Sequence, residues 1–385
     1  MQGRGYRAIA GAAIILVAIM SAAPAAAQST PEWKCNAQGA IPSDERIAAC
    51  TSVLESEKYG RQGAIRAYLG CAAAYSDKGD FERAIADYTT FIQLYPKNMF
   101  AYYCRGAAYH NMHDCDRAIA DYTETILLNP QHLHAYRDRG AAYSQSGYHD
   151  HAIADYDRAI QLSPADARIY VGRGMAYYRK GDLDRAFSDS EQALRLDPKQ
   201  DSAFGLRATV YKTKGEVDRA VADYDRLIEL DPKNPRAYRS RAIAHVQAGS
   251  ISKSLADLDR SIELDPRDAY SALWHEVVAK RSNVSSRLAA VAGELDLSKW
   301  PAPIIHLFLG EMSPEAVLAA AGDANGEKKR EQICEANFYL GELALLRGAR
   351  EEARPLLLLA TAECPKGFVE RQAADAELRA IGTAP

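Results

Sequence analysis

The sequence predicts an all-α solenoid of helix hairpins, and two observations predict it. Proline recurs at Pro96, Pro130, Pro164, Pro198, Pro232 and Pro266, an unbroken ladder of 34-residue steps. Ahead of each proline stands a related amphipathic phrase, such as RAIADYTETILLNP before Pro130 and HAIADYDRAIQLSP before Pro164. A fixed period of this length marks a repeat architecture whose units bury their apolar faces only against their neighbours. Such a stack escapes the size limit of a single core, so 385 residues do not demand a second fold.

The first element, residues 1–27, reads as a secretory signal peptide. Arg4 and Arg7 precede an apolar run from Ala8 to Ala23, and Ala25-Ala26-Ala27 follows Pro24. Positive flank, apolar stretch and small-residue site together predict export and cleavage before Gln28. The expected location is therefore periplasmic or secreted, with no membrane span in the mature chain. No cysteine stands at the cleavage point, so a lipid anchor is not expected. Losing the two arginines takes the formal charge from -4 to -6, which offers nucleic acid no attraction.

Residues 28–64 read as a degenerate helical cap, with DERIAACTSVLES (44–56) as its second helix. Cys35 and Cys50 flank this small unit and are expected to form a disulfide, contributing about 2–4 kcal/mol by restricting the unfolded chain. Six repeats follow over 65–268. Position 4 of each is aromatic (Tyr68, Tyr102, Tyr136, Tyr170, Phe204, Tyr238), and position 8 is Ala or Gly throughout. Position 11 is tyrosine in five repeats, and position 20 is alanine in five. Positions 4, 8 and 11 share one face of a first helix, and 20, 24 and 27 one face of a second. Small residues let the two axes approach while tyrosines fill the space beside them. Of 22 tyrosines, 14 fall at positions 4, 11 and 24, which makes them core and not a stacking platform for bases. Gly79-Asp80 and Gly181-Asp182 fit the turn between helices, with glycine ending one and aspartate capping the next. Arginine at position 7 and aspartate at position 23 recur together, which predicts ion pairs across adjoining helices.

The period breaks after Pro266. Residues 269–385 read as a helical C-terminal region, with Trp300-Pro301 and Ser313-Pro314 punctuating short helices. A hairpin returns over 334–367, and Cys334 and Cys364 at its open end are expected to pair. VERQAADAELRAIG is a last helix, and Glu370 and Arg371 read as its surface.

The repeats closely resemble the tetratricopeptide-repeat family over about half the chain. That resemblance implies a right-handed superhelical solenoid whose first helices line the concave face at positions 2, 5, 9, 12 and 13. In this chain those positions include Arg66, Tyr103, His134, Arg137, Arg168, Tyr178, Arg179, Lys212, Arg236 and Arg239. They predict a cationic, partly aromatic groove for an extended ligand that bears carboxylates. The asparagine that clamps a terminal carboxylate in chaperone-binding members is absent at position 9. The tail phrases LFLGEMSPEAVL, EANFYLGELALLRG and GFVERQAADAEL resemble new-lipoprotein-I-type bacterial envelope adaptors. This implies an adaptor role and a partner such as an envelope hydrolase or protease.

The chain contains no HExxH, P-loop, CxxC or GxSxG pattern, so neither an enzyme nor a cofactor is expected. Six of nine histidines lie between 110 and 151, near Cys115. His149 and His151 would point about 200° apart on a helix, so they cannot easily share an ion, and no metal is assigned. The expected function is an exported scaffold that binds a protein or peptide partner through its groove. The alternative is a periplasmic module for an acidic non-protein ligand such as a peptidoglycan fragment or anionic polysaccharide. A purely structural oligomer is a third reading.

Overall fold

The computed structural model describes residues 30–37, 41–322, 326–364 and 368–382. The signal-peptide and cleavage expectations lie outside the described residues. Two compact units divide between Ala165 and Asp166.

In the first unit, α1 (Pro31–Asn36) and α2 (Ser43–Glu55) form the cap. Repeats 1–3 follow as the pairs α3 (Gly60–Lys78) and α4 (Phe81–Leu94), α5 (Met99–Asn111) and α6 (Cys115–Leu128), α7 (Leu133–Gln145) and α8 (His149–Leu162). Helix α3 starts five residues ahead of the expected repeat boundary at 65, because a 3-10 turn over Glu57–Tyr59 leads straight into it.

The second unit holds repeats 4–6 as α9 (Ala167–Lys180), α10 (Leu183–Leu196), α11 (Asp201–Thr213), α12 (Val217–Leu230), α13 (Pro235–Gln247) and α14 (Ile251–Leu264). The tail adds α15 (Ala269–Arg281), α16 (Leu288–Val291), α17 (Ala302–Leu309), α18 (Pro314–Gly322), α19 (Gly326–Leu346), α20 (Arg350–Glu363) and α21 (Val369–Ala380). No strand occurs among the described residues.

Local chemistry explains the boundaries. Asp80, Asp114 and Asp182 each accept the N–H of a residue three ahead, and the Nε of Arg83, Arg117 and Arg185 returns to the same carboxylate at 2.6 Å. These caps satisfy amides that a helix start leaves open. Gly79 and Gly181 end α3 and α9 with φ of 79° and 90°, a region costly to any side chain. The second helices stop two residues before the prolines. Asn129 and Asp197 are extended at the helix end because the ring of the next residue excludes helical geometry there.

Close packing follows from the small residues. A Cβ on Gly106 would lie 3.1 Å from Asp121 and Tyr122, so α5 and α6 approach closely there. At the far end the tail closes the stack. Trp274, Ile304, Phe338, Tyr339 and Leu357 join the largest buried cluster, which covers the apolar side of repeat 6.

Candidate functional site

The periodic arginines are the framework on which the inner face is built. Arg105, Arg139, Arg207 and Arg241 each grip the position-23 aspartate of their own repeat through Nε and an Nη, at 2.6–2.8 Å. Arg173 holds Asp189 in the same way, at 2.9 and 2.7 Å. A third donor reaches back one repeat at position 25: Arg105 to Thr89, Arg139 to Thr123, Arg207 to Glu191, and Arg241 to Asp225. The expected pairing is present, and the inter-repeat tie was missed. Its signal was legible, since position 25 is always an acceptor (Thr89, Thr123, Asp157, Glu191, Asp225, Asp259). Repeat 1 departs: position 7 is Cys71, and burial without a guanidinium raises Asp87 to about 6.

The inward residues do not form the open cationic strip that the sequence predicts. In the first unit Tyr103 is buried, and its hydroxyl donates to Asp138 at 2.7 Å. Arg137 donates to the same carboxylate at 2.8 Å, and exposed Arg66 sits 3.6 Å from Glu32. His134 is half-buried, its ring 6.2 Å from that of His132. In the second unit Arg168 forks onto Asp166 at 2.9 and 2.8 Å, while Arg239 pairs with Asp268 and stacks 5.8 Å from Tyr270. Arg179 is half-buried and Arg236 exposed. The availability of Tyr103, Tyr178 and Lys212 to a ligand is thus corrected, since all three are buried. The arginines are neutralised from positions outside the inward set, by Asp138 at position 6 and by Asp166 and Asp268 at position 34.

Much of the burial in the second unit comes from α21. Gln372 donates to the hydroxyls of Tyr178 at 3.0 Å and Thr213 at 2.9 Å, seating the last helix on the first helices of repeats 4 and 5. Glu370, read from sequence as tail surface, is only 4% exposed. Burial raises its pKa, and the nearby charges of Lys212 and Arg239 oppose the rise. Lys212 falls to about 8 through burial, against the pull of Glu370. Glu335 rises to about 8 through burial and the like charge of Glu370, although Trp300 Nε1 (2.7 Å) and the Tyr270 hydroxyl (3.0 Å) bond it. The inner face of repeats 4–6 therefore holds a carboxylate-bearing helix of its own chain. No repeat pattern announces Glu335, Glu370 or Gln372, because they lie outside the array.

A hollow of about 230 Å³ in the first unit is lined by Arg66, Gln62, Ile65, Leu69, Phe91 and Tyr95, among others. It combines a guanidinium, an amide and an apolar wall. The structure joins Cys35 to Cys50 and Cys334 to Cys364. Cys71 is buried, and burial pushes the Cys71 and Cys104 thiols up to about 12.

Family models described as tetratricopeptide repeat match residues 65–98, 105–171, 142–201 and 206–279. A tetratricopeptide repeat protein from Parabacteroides merdae is similar in structure, with TM-score 0.54 and 17% identity over 62% of this chain and 93% of that one. The Cut9-Hcn1 hetero-tetramer of the APC/C is similar with TM-score 0.50 and 15% identity, over 83% of this chain and 52% of that one. The comparison with curated proteins returned no match. Repeat matches, helix pairs and the recurrent small-residue contacts agree: this chain belongs to the tetratricopeptide-repeat family, with a helical C-terminal extension beyond its array.

Proposed function

We propose that the protein is an exported scaffold of the bacterial envelope that binds an extended, carboxylate-bearing segment of a protein partner along its inner face. One observation carries this reading. The inner face of repeats 4–6 already accepts a carboxylate-bearing helix from the chain's own tail, with Glu370 near Lys212 and Gln372 bonded to Tyr178 and Thr213. In the first unit inward positions 2 and 5 supply Arg66, which lines a hollow with a partly apolar wall, and Arg137, which holds Asp138. An arginine fork suits a carboxylate, and an apolar wall suits the side chain next to it. The signal-like residues 1–27 support export, and the envelope hydrolase or protease that the tail phrases would imply is the partner class to look for.

A crosslinked pull-down from envelope extract with the Arg66→Ala, Arg137→Ala double variant tests the reading. Capture of a specific protein by the unaltered chain, weakened tenfold or more in the variant (about 1.4 kcal/mol), supports it. Unchanged capture by the variant overturns the assignment to this face. Binding that disappears after glycan digestion points instead to an acidic non-protein ligand. Intact-mass analysis finding residues 1–27 still attached would overturn cleaved export.

A further inference from the structure

His110, His113 and Cys115 surround a single side-chain amide. Gln145 Oε1 lies 3.0 Å from His110 Nε2 and 3.3 Å from Cys115 Sγ, and Gln145 Nε2 lies 3.0 Å from His113 Nδ1. The three come from different pieces of backbone: the last turn of α5, the inter-helix turn, and the first residue of α6. The divergence that helical spacing imposes on residues two apart therefore does not apply to His113 and Cys115.

We propose that these three residues bind a thiophilic d10 metal ion of the Zn(II) class in the place that the Gln145 amide occupies. Two imidazoles and a thiolate are a donor set of this kind, with ligand distances of about 2.0–2.3 Å. Among the described residues no three such donors yet stand at coordinating distance around one point. For an ion to bind, the amide must swing out and the three donors must close on one point. The Cys115 thiol releases its proton to solvent when the ion binds, and water completes the tetrahedron.

The repeat register sets this cluster apart from its neighbours. The corresponding positions in the other repeats are Ser76, Gly79 and Phe81; Ser144, Gly147 and His149; Tyr178, Gly181 and Leu183; Lys212, Gly215 and Val217; Val246, Gly249 and Ile251. Only repeat 2 places ligating residues at all three. His113 does so at φ 61°, where the five other repeats carry glycine at φ 70–90°. A residue with a Cβ held in the left-handed region is a local disadvantage that the fold retains.

Titration of the full chain with Co(II), both disulfides intact, tests the site through the thiolate-to-cobalt charge-transfer absorption. One equivalent should give the band, and Zn(II) should bleach it. Cys115→Ser should abolish it. His113→Gly should weaken Co(II) binding at least tenfold while raising the melting temperature of the metal-free chain, because glycine relieves the backbone. Absence of the band, its survival in Cys115→Ser (which would assign it to Cys71 or Cys104), or unchanged affinity in His113→Gly would each overturn the proposal.

Discussion

Gln372 donates its amide N–H to the Tyr178 hydroxyl at 3.0 Å, joining residues 194 apart in the chain. The same nitrogen lies 2.9 Å from Thr213 Oγ1, so one side chain ties α21 to two repeats. Gln372→Ala should destabilise the second unit by about 1–2 kcal/mol, the net worth of two such bonds. Urea denaturation measures the loss. Hydrogen exchange should localise it to α21, and equal loosening across all helices would contradict the tie.

The arginine–aspartate forks should be costly to break only where a guanidinium is present. Asp121 is 4% exposed and holds Arg105, so Asp121→Ala strands a half-buried charge and should cost about 3 kcal/mol. Asp87 fills the same repeat position without an arginine, and burial raises it to about 6. Its folded-state pKa exceeds the unfolded value, so its effect is harmless below about pH 4 and becomes destabilising as pH rises through 6. Asp87→Asn should therefore raise the denaturation midpoint at pH 7, with the gain vanishing near pH 4.

Two helical glycines should respond to alanine with opposite signs. A Cβ at Gly174 would stand 2.7 Å from Leu206 Cδ2, 3.0 Å from Asp189 Cβ and 3.3 Å from the Ala186 carbonyl. Gly174→Ala should destabilise by about 1–2 kcal/mol, overpacking outweighing the helix propensity gained. At Gly205 the nearest atom is 3.9 Å away, so Gly205→Ala should stabilise by about 0.5–1 kcal/mol. Paired thermal and urea melts check the difference in sign.

The buried charges beneath α21 predict a pH dependence. Glu335 is held near 8 in the folded state, so the folded chain binds the extra proton between the ordinary carboxylate range and pH 8. Stability should therefore fall as pH rises from about 5 to 8. Lys212 acts oppositely: its folded pKa of about 8 lies below the unfolded value, so stability recovers in part from pH 8 towards 10.5. Glu335→Gln should flatten the slope between pH 5 and 8. A slope unchanged by that substitution would place its origin elsewhere.

The array was legible because its determinants are local and repeated. Tyr109, Ala118 and Tyr122 pack together within a single hairpin with Gly106 against Tyr122, and the same residue types recur at a fixed spacing, so the period reports the packing. The Arg105–Asp121 fork and the Asp80 and Asp182 caps were readable for the same reason, each partner lying within one repeat. What covers the inner face was not. Tyr178 and Lys212 occupy inward positions whether or not anything lies over them, and only the chain's return over nearly two hundred residues buries them beneath Gln372 and Glu370. Short-range periodicity encodes the repeat, its core and its internal ion pairs, so all three can be read from the chain. Tertiary structure alone decided which cations meet a carboxylate and which first helices receive α21, because long-range contact leaves no period in the chain.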